Sequence, residues 1–235
     1  MGKLTKATKK KYKYYLMVIG AASLVSLLVI FLFVGFAQFL KPSGEEALQA
    51  MSYNYSEIDV SKPMIEEMLL TQNINSRPTT PLKKVKGVVV HYTANPGTDA
   101  EANRNYFESR KDFADESRYK VSSHYIIGLD GTIIQCIPEE EIAYASNNRN
   151  SDTISIECCH PNKSGKFTEQ TYQSLVHLVA YLCDKYTLNM DDIIRHYDVT
   201  GKECPRYYVK HPKAWKSFKS DIDAYLKKCT KEAES

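Results

Sequence analysis

Two histidines and a cysteine carry the most chemistry for their position in this chain. His91 closes the apolar run KGVVVHY, His196 closes IIRH, and Cys204 follows eight residues later in HYDVTGKECP. Imidazole nitrogen and thiolate sulfur suit zinc, and three protein donors leave a fourth position open to water. Six histidines and six cysteines in 235 residues also produce such triples by chance. A lone strand-end histidine is more often a packed structural residue, so spacing alone does not establish a metal site. Glu157 lies in TISIECC, where Ile154, Ile156 and Cys158 alternate with Ser155, Glu157 and Cys159. An unpaired buried carboxylate is costly, so this acid faces either bulk water or a groove where it can carry protons. Lys202 stands six residues after His196 and two before Cys204. A cation there could hold a developing oxyanion, or it could be one more surface lysine on a turn.

These residues need elements to hold them, and the pattern supplies candidates. KGVVVHY is β-branched and reads as a strand. TDAEANRNYFESR places Ala102, Tyr106 and Phe107 at helical spacing, with Thr98 as a cap. VSSHYIIG and TIIQCIP flank Leu129-Asp130-Gly131, and Asp-Gly between β-rich runs signals a hairpin. EIAYA and TISIECC read as further strands. FTEQTYQSLVHLVAYLCDKY is the strongest helix, capped by Thr168, with Leu175, Leu178, Val179 and Leu182 on one face. PKAWKSFKSDIDAYLKK closes the chain as an amphipathic helix with Trp215, Phe218, Ile222, Tyr225 and Leu226 inward. Strands and helices interleaved in this way imply one α/β domain over residues 85–228, a mixed central sheet with packed helices, followed by a short tail at 229–235.

The rest of the chain reads differently. Residues 1–13 hold six lysines and no acid, and residues 14–40 hold no charge at all. Such a stretch is long enough to cross a bilayer as a single transmembrane helix, and too long for the apolar core of a cleaved signal peptide. Lysines ahead of it orient the leader to the cytoplasm and the domain outside. Basic residues at the N-terminus also suit contact with anionic membrane lipid. Residues 41–84 mix Pro, Ser and polar runs and read as linker, with one or two helical turns in PMIEEMLL. The formal charge of +3 is set by the leader; without its lysines the chain is slightly acidic. That composition argues against a nucleic-acid partner. With Cys204 set aside five cysteines remain, so at least one thiol stays outside any disulfide, and no bridge is assigned.

Four segments, VVVHYTANPGTDAEANRNYF, SSHYIIGLDGTIIQCIP, TISIE and RHYDVTGKECP, occur in that order over about 140 residues. In them the chain resembles the zinc-dependent N-acetylmuramoyl-L-alanine amidases of the type 2 family, related to peptidoglycan recognition proteins. The resemblance implies a peptidoglycan hydrolase that cleaves the amide between N-acetylmuramic acid and L-Ala of the stem peptide. It implies His91, His196 and Cys204 as zinc ligands, and Glu157 and Lys202 as catalytic residues. The same fold also serves as a peptidoglycan-binding receptor without catalysis, but only where the ligands are lost, and here all three are present.

Two departures from the family pattern stand out. Ser123 occupies a position where some relatives carry a catalytic Tyr, which leaves proton transfer to Glu157. Ala143-Tyr144-Ala145 replaces an Ala-aromatic-His sequence, removing a histidine contact. His124, Thr93, Asn95 and Tyr144 are then the expected substrate contacts, with Asn148 on the rim.

Overall fold

The structure is a computed structural model and describes residues 62–233. The lysine leader, the uncharged stretch at 14–40 and the first part of the expected linker lie outside the described residues. Among the described residues, no helix is long and apolar enough to cross a membrane.

Six strands form one mixed sheet: β1 (Glu66–Glu67), β2 (Val88–Tyr92), β3 (Tyr125–Ile127), β4 (Ile133–Gln135), β5 (Ile154–Cys158) and β6 (Ile193–Arg195). Their order is β1-β4-β3-β5-β2-β6. Only the β3–β4 hairpin is antiparallel; every other neighbouring pair is parallel. The central strand β2 begins as a continuous apolar run, Val88-Val89-Val90, whereas β5 alternates Ile154, Ile156 and Cys158 with Ser155 and Glu157. Among the described residues five α-helices accompany the sheet: α1 (Ala100–Glu108), α2 (Glu169–Tyr186), α3 (His196–Thr200), α4 (Arg206–Lys210) and α5 (Pro212–Ala233).

The period-two alternation of the strands divides the interior into two cores. Val88, Val90, Ile154, Ile156, Tyr125 and Ile127 face α2 and α5. There Leu175, Leu178, Leu182, Phe218 and Ile222 are fully enclosed, each burial stabilising by about 1.5–3 kcal/mol. Thr168 caps α2 as expected, its side chain accepting from the Thr171 amide. The Asp130-Gly131 turn docks on the first turns of that helix: Thr168 and Thr171 donate to the Leu129 and Gly128 carbonyls at 2.7 Å. Gly131 has φ of +87°, and a Cβ there would meet Ser174 Oγ at 2.8 Å. Glycine is therefore required both for the turn and for its seat on the helix. On the opposite face Ile126, Ile134 and Cys159 meet Phe107 and Ala100 of α1. That helix is capped by Asp99, whose carboxylate accepts from the Ala102 amide at 2.7 Å, and not by Thr98.

Several expectations need correction. Residues 62–84 are not linker where they are described. PMIEEMLL is extended, β1 pairs with the open edge of β4, and Met68 and Leu70 continue the ladder to Gln135 and Cys136. An uncovered strand edge offers a row of unpaired backbone groups, and this segment satisfies them. Beyond it, the fully buried Asn75 amide donates to the carbonyls of Arg110, Phe113 and Ala114. EIAYA contributes only an isolated bridge between Glu141 and Pro81. The closing helix does not stop at 228: it runs to Ala233, with Cys229 buried in the core. All six cysteines fall among the described residues, and no disulfide joins them.

Glu108 fastens the 68–71 segment to α1. Its carboxylate accepts from the Thr71 amide at 3.0 Å and hydroxyl at 2.6 Å and pairs with Arg104 and Lys111. Burial opposes the charge, but these donors and cations outweigh it and lower the carboxyl to about 2. A carboxyl depressed in the folded state stabilises above its unfolded pKa, and that contribution is lost as pH falls from about 4.5 toward 2. Solvent screening discounts that contribution, so Glu108→Gln is expected to lower the unfolding free energy at pH 7 by about 1 kcal/mol. Urea titrations at several pH values should show the gap between variant and parent closing across that acidic window.

Candidate active site

The register of three parallel strands assembles the site. β2 and β5 pair with His91 opposite Glu157, and β2 and β6 pair with Val90 opposite Arg195. The next residue, His196, opens α3 beside His91, with ring centroids 4.6 Å apart. Arg195 fixes that helix start: its backbone and guanidinium both donate to the Asp198 carboxylate. After α3 the chain turns at Gly201 and folds back, so that the Tyr197 amide donates to the Cys204 carbonyl at 2.8 Å. Cys204 Sγ then stands 3.8 Å from His91 Nδ1. The ligand atoms of His91, His196 and Cys204 all lie within 4.8 Å of one another.

This cluster opens into a cavity of about 260 Å³ whose wall includes Thr93, Asn103, Tyr106, Tyr144, Glu157 and Lys202. It lies on the α1 face of the sheet, where α1 covers the β3–β4 end and leaves the carboxyl ends of β5, β2 and β6 accessible. Ligands of open α/β sheets bind in that position. Glu157 Oε1 is 3.9 Å from His91 Nδ1, and Oε2 is buried without a hydrogen-bond partner, as is Thr93 Oγ1. Burial pushes the Glu157 carboxyl up to about 8, with Lys202 working against it. Burial also holds His91 well below the usual imidazole range, helped by His196 and Lys202, and lowers His196 in the same way. The Cys204 thiol is pushed up to about 12 by burial, with the Glu157 charge adding to it.

The three donors fit a zinc ion on chemical grounds. Two neutral imidazoles and one sulfur form a borderline-soft set with room for a fourth ligand, and bonds of about 2.0–2.3 Å close the separation with a small side-chain movement. Both imidazoles are also held from behind. His91 Nε2 lies 3.1 Å from Ser146 Oγ, and His196 Nε2 lies 3.1 Å from Asn147 Oδ1. Spacing did not point to either partner. Their one sequence signal was the turn-rich run SNNRN just ahead of β5.

Of the other expected residues, Thr93 and Tyr144 line the cavity and Asn95 does not: it is exposed, and its carbonyl accepts from Thr98. Asn148 is exposed on the loop after Ser146. Lys202 reaches the cavity from an exposed turn. Asn103, Tyr106 and Phe107 of α1 complete the wall; their helical spacing was visible, but not the side of the sheet on which the helix would lie. His124 stands apart from the cavity. It is enclosed, accepts from the Ser155 amide at Nδ1 (3.0 Å), and donates through Nε2 to the Glu141 carbonyl at 2.9 Å. Burial pushes it down to about 4. It is a neutral tie between β3, β5 and the loop at 141, not a substrate contact.

Fold and site together define an α/β protein with a candidate metal centre at the carboxyl ends of its parallel strands. The family model for N-acetylmuramoyl-L-alanine amidase matches residues 81–207, and the chain belongs to that family. N-acetylmuramoyl-L-alanine amidase CwlL of Bacillus licheniformis is 36% identical over 166 residues, 66% of this chain and 45% of the relative. BlyA of Bacillus subtilis (strain 168), named as the same activity, is 32% identical over 175 residues, again 66% of this chain and 45% of the relative. The chain thus spans about half the length of the curated relatives it matches. Among solved structures, PlyL superposes with a TM-score of 0.57 at 27% identity, covering 68% of this chain and 96% of that one. The catalytic domain of XlyA gives 0.55 at 27% identity, covering 68% and 99%.

Replacing His124 by Ala leaves the Ser155 N–H and the Glu141 carbonyl unpaired in the interior, at about 1–3 kcal/mol each. The expected outcome is a loss of at least about 2 kcal/mol in denaturant unfolding. A variant of unchanged stability with weakened substrate binding would contradict the structural role.

Proposed function

We propose that this chain is a zinc-dependent peptidoglycan hydrolase that cleaves the amide between N-acetylmuramic acid and L-Ala of the stem peptide. The observation that carries this reading is the convergence of His91, His196 and Cys204 with the partly unpartnered Glu157 carboxylate in one accessible cavity. Membership of the amidase family and the names of the relatives support the bond assigned.

Zinc held by His91, His196 and Cys204 would supply a water acidified to near-neutral pH and would polarise the scissile carbonyl. Glu157 is the proton carrier. Glu157 lines the cavity and its Oε2 has no competing partner; in its ionised form it takes the proton released as water attacks the lactyl carbonyl carbon, and returns it to the departing amide nitrogen. The C–O bond forms first, and the C–N bond breaks once the nitrogen is protonated, giving a lactyl carboxylic acid and a free L-Ala amine. Lys202, on the cavity rim, stabilises the negative charge that builds on the carbonyl oxygen. Ser123 is fully buried and donates to the Tyr125 carbonyl, so that position supplies no phenol. Tyr144 and Thr93 wall the cavity where the substrate enters. The lysine leader and the uncharged stretch that follows support a membrane-anchored chain whose catalytic domain works on the wall side.

Mass spectrometry of isolated peptidoglycan after digestion by the zinc-loaded full chain tests the reaction. New amino-terminal L-Ala on released stem peptides is expected, and Glu157→Gln should cut the rate at least about 100-fold while zinc stays bound. Binding to wall material with no new amine would instead identify a receptor, and unchanged turnover in Glu157→Gln would remove that residue from proton transfer.

A further inference from the structure

Both histidines of the candidate metal centre are held by consecutive residues of one loop. Ser146 Oγ lies 3.1 Å from His91 Nε2, and Asn147 Oδ1 lies 3.1 Å from His196 Nε2. In each case the bond occupies Nε2, while His91 Nδ1 faces Cys204 Sγ at 3.8 Å. An imidazole that donates through Nε2–H keeps its lone pair on Nδ1, and the partner of the non-ligating nitrogen sets both tautomer and ring orientation.

The loop is itself fixed. Asn150 Oδ1 accepts from the Ala145 amide at 3.1 Å and from the Ser146 amide at 2.6 Å. The Ser146 carbonyl accepts from the Arg149 amide, Arg149 pairs with Asp152 at 2.7 Å, and the Thr153 hydroxyl donates to the Arg149 carbonyl. The loop thus ends rigidly at the start of β5, the strand that carries Glu157. Asn147 has φ of +54°, a left-handed conformation that asparagine adopts at little cost and most other side chains resist.

We propose that Ser146, Asn147 and Asn150 form a positioning loop that presets the Nδ1-ligating form of both histidines before metal arrives. The inference rests on the zinc reading above and adds to it the device that orders the ligands. The two contacts differ in weight. Ser146 is buried, with 1% of its surface exposed, so water cannot replace its oxygen. Asn147 is exposed, so water substitutes for it in part. Asn150 acts at one remove, by holding the Ser146 backbone.

The test is zinc affinity of the purified full chain, measured by competition with a chromophoric chelator, for the parent and four variants. Ser146→Ala should weaken zinc about 10–100-fold. Asn147→Gly, which keeps the left-handed backbone and removes only the acceptor, should weaken it less. Asn150→Ala should weaken zinc, whereas Asn150→Asp, which retains the accepting oxygen, should bind like the parent. Nitrogen NMR of the zinc-free chain adds a readout that loss of packing alone would not move. The parent should show His91 protonated at Nε2, and Ser146→Ala should show a mixture of tautomers. A parent that binds zinc while Ser146→Ala binds it equally tightly, with unchanged tautomer, overturns the positioning loop and leaves the zinc reading standing. A parent that binds no zinc overturns both.

Discussion

The parallel register of β5, β2 and β6 is the constraint on which the rest of the structure depends. In it His91 stands opposite Glu157, and Arg195 stands opposite Val90, so that His196 emerges beside His91. A slip of one residue in any of these pairings would turn the side chain into the opposite core. The apolar residues that alternate with the functional ones prevent that slip: Val88, Val90, Ile154 and Ile156 are fully enclosed against α2 and α5. The hydrophobic face thereby sets the polar one. Burial that locks the register also removes water from His91 and Glu157, and so keeps the imidazole neutral and the carboxyl raised.

The two faces of the sheet do different work. One is sealed by two long helices and holds the larger of the two apolar cores. The other is half covered by α1, and the uncovered half is the cavity. Segments that do no chemistry matter here because they hold α1 where the cavity needs a wall. The stretch from 66 to 77 completes the edge of the sheet and grips α1 through Glu108 and Arg104, whose guanidinium donates to the Met68 and Leu69 carbonyls. Asn75 then ties down the residues that follow the helix. The folded core therefore includes residues well ahead of the first strand with an obvious apolar pattern.

Much of this was legible in the sequence, for physical reasons that can be named. The hairpin at Asp130-Gly131, the cap at Thr168 and the inward faces of α2 and α5 follow from local geometry and period, which one stretch of chain carries by itself. The triad of His91, His196 and Cys204 came from donor chemistry, and the resemblance to the amidases chose it from the chance triples. What was not legible depended on contacts between distant segments. PMIEEMLL has helical composition, yet it extends because the β4 edge is open to it. His124 has the type of a site residue, yet Ser155 and Glu141 saturate both its nitrogens. Ser146 and Asn147 look like turn residues, and only the fold reveals that they stand behind the two histidines.

The central proposal is that the carboxyl ends of these parallel strands build a three-donor zinc site with one position left open. X-ray absorption at the zinc edge, on the zinc-loaded full chain, tests it most directly. The account predicts two nitrogen donors at about 2.0–2.1 Å, one sulfur at about 2.3 Å and one oxygen from solvent, with the sulfur contribution lost in Cys204→Ala. A closed shell of four protein ligands, or a spectrum without sulfur in the parent chain, would contradict it.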